Sequence, residues 1–417
     1  MRRHTSPLLL ICIVLFSATL LPGQSQVVAE KQTVKMEPYS SPDVSSKTGY
    51  GNCQWFHPLD EPNETLLSEP DYASEKQVYY AAEYGDAPDN IHTLVIDESE
   101  GTGKGYDTLY VDIDNDNRLD PDSEKFSFQL GTTRSTVPVR ITLTVTAGGE
   151  KIPYSFNFSA FPYTDKSEVE KIHSNARNST IFIGEATFGG KPCKIAIADL
   201  DSNGLFNNVE KGIFRGDRFF VDLSGNDEFR DAREGEGPKE GFPYSQYAQI
   251  DGQWYSVEAS PSGKTVQISP AEPELTTMTA QEEITKVTLF SDTQAQSLLF
   301  SDGSAEAITG TYELAGVELS ITDANERKWM CRGSFRTDRP EVTIAAGVET
   351  RIADILPLQV AIEPSGECPS STITLKPAIK GADGGSYRCP YTNRPAGGFE
   401  IQDLQGQVVH SGAFEYG

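Results

Sequence analysis

The residues whose types and spacing carry most chemistry lie between Asp199 and Glu210. Over Asp199-Leu-Asp201-Ser-Asn203-Gly204-Leu205-Phe-Asn207-Asn-Val-Glu210, side-chain oxygens recur at the first, third, fifth, ninth and twelfth places. The main-chain carbonyl of Leu205 falls at the seventh, and Gly204 holds the sixth, where the chain must turn sharply. A large hard cation that takes six to eight oxygens needs this arrangement, because alternate residues of a tight loop point inward together and a closing carboxylate binds with both oxygens. The pattern predicts calcium ligation by Asp199, Asp201, Asn203, Leu205, Asn207 and Glu210. The competing reading is a solvated turn, which Asp, Asn and Gly favour for their own backbone hydrogen bonds.

Two further loops share the pattern in part. In Asp112-Ile-Asp114-Asn-Asp116-Asn117-Arg118-Leu-Asp120, Asn117 takes the turn position, so the expected ligands are Asp112, Asp114, Asp116, the Arg118 carbonyl and Asp120. The twelfth residue is Ser123; Asp122 and Glu124 flank it, and Glu124 is taken as the closing ligand. Asp112, Asp114, Asp116, Asp120, Asp122 and Glu124 crowd their carboxylates into a short segment, where they would repel one another without a cation. The third loop offers Asp222, Ser224 and Asn226, with Arg233 at the twelfth place and Glu234 one beyond.

Over its twelve residues the Asp199 loop resembles the EF-hand and dockerin type of loop, which implies Ca2+ as the bound ion. Both families flank that loop with helices. Here Cys193, Ile195 and Ile197 alternate as in a strand, and Lys211 to Val221 contains Gly212 and Gly216, poor helix material. The resemblance therefore implies metal ligation without the helical fold. The 23-residue step from Asp199 to Asp222 keeps a dockerin-like docking module as an alternative. Ile195 to Asp201 also looks like an FG-GAP propeller loop, but the step of 87 residues from Asp112 to Asp199, followed by one of 23, lacks the regular recurrence of blades. From end to end the chain resembles secreted bacterial β-proteins, a likeness that implies no activity.

The elements that must position these loops read as strands. Val139, Ile141, Leu143 and Val145 alternate with polar residues, and beyond Gly148-Gly149 Tyr154, Phe156 and Phe158 return. Ile181 and Ile183 lead through Gly189-Gly190 to Ile195 and Ile197, and Tyr247 through Asp251-Gly252 to Trp254 and Val257. Such Gly-Gly and Asp-Gly pairs supply the positive φ that tight hairpins demand. One short helix is predicted over Lys166 to Asn175, on the spacing of Val169 and Ile172. The stretch Asp107-Thr-Leu-Tyr-Val-Asp112 echoes Asp217-Arg-Phe-Phe-Val-Asp222, which leaves open either a duplicated unit (51–165 and 166–270) or a chance match.

The expected fold class is all-β: an antiparallel, hairpin-rich calcium-loop region over 51–270, a connector over 271–283, and an immunoglobulin-like or transthyretin-like β-sandwich over 284–417. Residues 30–50 mix Ser, Pro, Lys and Glu without period and read as a flexible linker. Arg2 and Arg3 before the apolar run Leu8 to Leu21 read as a signal peptide over 1–29, cleaved after Ala29, with cleavage after Ser25 or retention as an anchor as rivals. The mature chain is then expected to be secreted, periplasmic or at the cell surface, without a transmembrane domain.

The chain has 417 residues and a formal charge of -26, which with no basic stripe argues against nucleic acid and for cations as partners. An extracellular or cell-surface protein or glycan is the other expected partner. Cys368 and Cys389 are the favoured disulfide, and Cys193 is expected to face a core. His57, His92, His173 and His410 stand far apart, and no nucleophile elbow or metalloprotease helix occurs. Trp55, Trp254 and Trp329 could stack on sugars, although core positions are the more usual fate of tryptophan among strands. The expectation is an exported calcium-binding structural or binding protein, with calcium as a fold staple. A secreted carbohydrate-active hydrolase or a docking module is the alternative.

Overall fold

In the computed structural model the described residues run from 30 to 413, leaving aside 43, 50–52, 103–104, 133–136, 165–169, 210–215, 230–238, 323–325, 327, 336–338, 366–373, 389–397 and 403–404. The signal segment, Glu210, Arg233, Glu234, Cys368 and Cys389 lie outside them. The chain is almost entirely β, with one short helix, Val44–Thr48, among the described residues.

Among the described residues up to 270 there are seventeen strands. They are β1 (Gln32–Lys35), β2 (Glu37–Ser40), β3 (Cys53–Phe56), β4 (Val78–Glu83), β5 (Ile91–Asp97), β6 (Thr108–Val111), β7 (Lys125–Ser127), β8 (Val139–Ala147), β9 (Glu150–Thr164), β10 (Glu170–Asn178), β11 (Thr180–Phe188), β12 (Lys191–Ala198), β13 (Arg218–Val221), β14 (Gly241–Pro243), β15 (Tyr247–Ile250), β16 (Gln253–Ala259) and β17 (Thr265–Pro270). They form four antiparallel sheets, ordered β4-β5-β6-β7, β3-β10-β9-β8, β2-β11-β12-β13-β14 and β1-β17-β16-β15.

The same arrangement thus occurs twice. β4 to β7 and β11 to β14 are four-strand meanders; β8 to β10 and β15 to β17 are the three-strand meanders that follow them. Each copy is completed by N-terminal chain: β3 pairs β10 and runs on to a bridge between Leu59 and Tyr79, whereas β1 pairs β17 and β2 pairs β11. Both copies share one core, in which Tyr80, Leu94, Phe156 and Phe158 of the first join Phe182, Ile197, Phe219 and Ile268 of the second. Each such ring or branched side chain contributes about 1.5–3 kcal/mol on burial.

Three segments differ from expectation. Residues read as a flexible linker contain β1 and β2, because Val34 and Met36 are buried against Gly184 and the backbone pairs with β17 and β11. The helix predicted over Lys166 to Asn175 is instead the strand β10, described from Glu170. Ile172, Ser174 and Ala176 face inward in two-residue alternation, and the long β9 supplies nine paired positions, which outweighs an i,i+3 pair of apolar residues. The stretch read as a connector holds the strand Leu275–Thr279, whose Met278 is buried.

Beyond it, the hairpin Ile284–Phe290 and Ala295–Leu299 joins the long strand Gly310–Thr322 and its neighbour Lys328–Ser334. They surround a second core that includes Val287, Leu289, Leu319 and Tyr387. Cys331 is disulfide-bonded, to a partner outside the described residues, while Cys53 and Cys193 are free. Cys193 packs, half-buried, on the first core.

Candidate metal centre

Three loops leave the ends of strands with the same backbone. Asp199 follows β12, Asp112 follows β6 and Asp222 follows β13. In each loop the fourth and sixth residues are left-handed: Ser202 and Gly204 (φ 61 and 80), Asn115 and Asn117 (φ 59 and 60), Gly225 and Asp227 (φ 72 and 62). That coil turns successive amides onto the first carboxylate. Asp199 accepts from the Ser202, Asn203 and Gly204 amides, Asp112 from Asp116 and Asn117, and Asp222 from Gly225, Asn226 and Asp227. In each, the fifth side chain accepts the seventh amide: Asn203 from Leu205, Asp116 from Arg118, Asn226 from Glu228. Gly204 is required twice over, by its φ and because a Cβ there would lie 3.0 Å from the Gly85 amide.

At the Asp199 loop the geometry closes. Asp199 is buried and its Oδ2 also accepts the Tyr154 hydroxyl at 2.8 Å. Asp217, which begins the turn into β13, is equally buried, and one carboxylate oxygen from each of Asp199, Asp201 and Asp217 lies within 4.8 Å of the others. Oxygens on one calcium ion, each at about 2.3–2.6 Å from it, cannot be separated by more than about 5 Å, so the cluster is of the right size. Asp217 Oδ2 accepts the Asn208 amide at 2.6 Å, and Asn208 Nδ2 reaches Asp201 Oδ2 at 3.3 Å. Asp201 Oδ1 and Asp217 Oδ1 are buried with no hydrogen-bond partner.

The electrostatics follow. Burial first, and Asp201 beside it second, hold the Asp199 carboxyl well above the usual range, against the pull of the Gly204 amide and Tyr154. Burial, then Asp199 and Asp201, do the same to Asp217, although the Asn208 and Leu200 amides favour its charged form. Such carboxylates must either keep protons or share a cation. A divalent cation there would be held by oxygen donors alone.

At the Asp112 loop, carboxylate oxygens of Asp112, Asp114 and Asp116 again lie within 4.8 Å of one another, but only Asp112 of the three is buried. Glu124 is buried beside them; its two oxygens accept the Ile113 and Asp120 amides at 2.6 and 2.8 Å. Burial, then Glu124, push the Asp112 carboxyl up to about 7. Asp120 is exposed and turned to Ser123 and the Asp122 amide, away from the cluster. Asn117 and Asn115 instead bind Asp89 in the β4–β5 turn. At the third loop Ser224 Oγ is 3.3 Å from Asp222 Oδ1, and buried Glu240 accepts the Ser224 amide. No third carboxylate joins Asp222 among the described residues.

Comparison with protein-family models, with curated proteins and with solved structures finds no match. The site must therefore be read from its own geometry.

Asp217 is the member of the acidic cluster that the loop pattern missed. It lies eighteen positions from Asp199 (217 − 199), and only its place in the echo of Asp107 marked it. Also absent from the sequence pattern is the meeting of His57 with His173, whose ring centroids are 6.2 Å apart across β3 and β10. Tyr163 packs on His173 at 4.6 Å, and Trp55, 52% exposed, packs edge-on to Phe161 at 6.0 Å. An aromatic face thus lies outward on the β3-β10-β9 sheet, whereas Trp254 and Trp329 are half-buried.

Proposed function

We propose that the chain is an exported, calcium-binding structural protein in which calcium staples the corners of the β region. The observation that carries this reading is the pair of buried, unpartnered oxygens, Asp201 Oδ1 and Asp217 Oδ1, on carboxylates that converge with buried Asp199. A site with oxygen donors only, assembled from a loop and the start of the next strand, suits a hard cation that takes oxygen ligands. The Asp112 cluster is a second, more exposed site. The disulfide at Cys331 supports an oxidising compartment and so supports export.

Against a hydrolase stands the burial of Asp199 and Asp217, which keeps both from any polymeric substrate. Their oxygens are also closer together than the roughly 5–5.5 Å of a retaining carboxylate pair. The reading is tested by melting the chain with calcium and with chelator while calorimetry counts bound ions. An unchanged melting temperature and no binding heat would discard it.

The exposed Trp55, Tyr163, His57 and His173 face favours a second role, the holding of an extracellular glycan by ring stacking. Retention on insoluble polysaccharides, lost in Trp55→Ala, is the expected result; passage of the unmodified chain through every polysaccharide tested would remove that role.

A further inference from the structure

The Asp199 loop does more than join two strands, because its far end lies on the seam with the C-terminal β region. Val209, next to Asn208, packs against Phe290, Ala295 and Ala315 of the hairpin Ile284–Phe290/Ala295–Leu299 and its neighbour. Asn208 is held from both sides by the acidic cluster, its amide on Asp217 and its side chain on Asp201. A second path starts from the same residue: the Asp217 carbonyl accepts the Tyr244 amide at 2.9 Å. The next residue, Ser245, exchanges two hydrogen bonds with Ala295, its hydroxyl donating to the carbonyl at 3.0 Å and accepting from the amide at 3.1 Å. Gln246 donates its amide to the Thr293 carbonyl, and Tyr247 its amide to the Gln294 side chain. The contacts of Ser245, Gln246 and Tyr247 all meet the turn from Phe290 to Ala295.

We infer that the Asp199–Asp201–Asp217 centre is the lock of the seam: cation binding there fixes the C-terminal β region against the N-terminal one. The inference rests on the metal reading above. Without a cation, three carboxyls that must either repel one another or take up protons hold both Asn208 and the start of β13, so Val209 and Ser245 lose their fixed positions together. With it, both abutments of the turn are set by one ion. The coupling requires no movement within either core.

The test is hydrogen exchange on the full chain, with calcium and after chelation, while terbium luminescence sensitised by Tyr154 reports occupancy separately. Calcium is expected to slow exchange at the Gln246, Tyr247 and Ala295 amides about tenfold or more, and to leave the Leu319 amide in the second core unchanged. Val209→Ser, which alters no ligand, should bind terbium as the unmodified chain does and lose most of that protection. If the ion binds and the seam amides exchange at the same rate with and without it, the lock is wrong while the metal site stands. If terbium does not bind, or Asp217→Asn binds it as tightly as the unmodified chain, the metal reading fails and takes the lock with it.

Discussion

The connection from β5 to β6 and the connection from β12 to β13 occupy the same corner of the two copies, and they set matching acids in opposite surroundings, Asp107 exposed and Asp217 buried. Register makes the equivalences plain, since Leu94 faces Val111 where Ile195 faces Val221. Glu98 therefore matches Asp199, Glu100 matches Asp201, Ser99 matches Leu200 and Asp107 matches Asp217. In the first copy the chain supplies its own donors: Glu98 accepts the Thr102 amide and hydroxyl, and Asp107 accepts the Ser99 amide at 2.7 Å and its hydroxyl at 2.6 Å. Those bonds hold the Asp107 carboxyl below its ordinary range. In the second copy a leucine stands where the serine hydroxyl would be, and Asp217 keeps an oxygen without a partner. At one corner protein donors reach both oxygens of Asp107; at the other Asp217 Oδ1 has no such donor.

The largest break in that symmetry is expected from Asp217→Ala. With calcium present it should abolish binding at this site and cost about 3 kcal/mol, because it strips a ligand and leaves buried Asp199 and half-buried Asp201 uncompensated. Asp107→Ala, at an exposed hydrogen-bonded turn, should cost under about 1 kcal/mol. Urea unfolding of both variants measures the difference; equal losses would erase the distinction between the corners. Calcium at ten times its dissociation constant should add about 1.4 kcal/mol to the unmodified chain and to Asp107→Ala, and nothing at this site to Asp217→Ala.

How much of this was legible depends on the distance over which each interaction acts. The hairpins were legible because Ile141, Leu143 and Val145 declare a face within five residues. The first Asp of each loop was legible because its amide partners lie within the next five residues. Asp217 was not, since its role depends on β12 and β13 lying side by side, a relation that a twelve-residue pattern does not contain. β1 and β2 hid for a similar reason: Val34 and Met36 gain their meaning only against β17 and β11, which lie more than a hundred residues away. The echo of Asp107 in Asp217 held more than its six residues suggested, because it marks the same corner of two matching sheets.

The neighbouring corners invert the pattern. After β6, Asp112, Asp114 and Asp116 converge; after β13, Ser224 and Asn226 stand at the places of Asp114 and Asp116 and leave Asp222 the one carboxylate of the three. Asp114→Asn should then remove one bound ion in calorimetry, and Asp222→Asn none. In the metal-free chain the raised Asp112 pKa means that the folded state holds a proton that the unfolded state releases near pH 3.8. Its contribution to stability is complete below that pH and is lost as the pH climbs through about 7. Calcium displaces the same proton, so the calcium-induced rise in melting temperature should grow over that interval. A calcium effect that is flat from pH 4 to 7 would show that Asp112 is not a ligand.

The finest test exchanges a single donor between the copies. Leu200→Ser places at the open corner the hydroxyl with which Ser99 satisfies Asp107. Should that hydroxyl reach Asp217 Oδ1, the cation must displace a hydrogen bond to enter, and its affinity should fall about tenfold, the worth of one such bond. Leu200 also packs, half-buried, on Ile181, Phe220 and Phe229, so Leu200→Ala is the matched control: it loses the same contact and brings no donor. Weakened binding in the serine variant alone would show that the two corners differ by who supplies the donor. Equal weakening in both would show that Leu200 acts through packing, and that the difference must then come from the longer loop between Asp199 and Asp217.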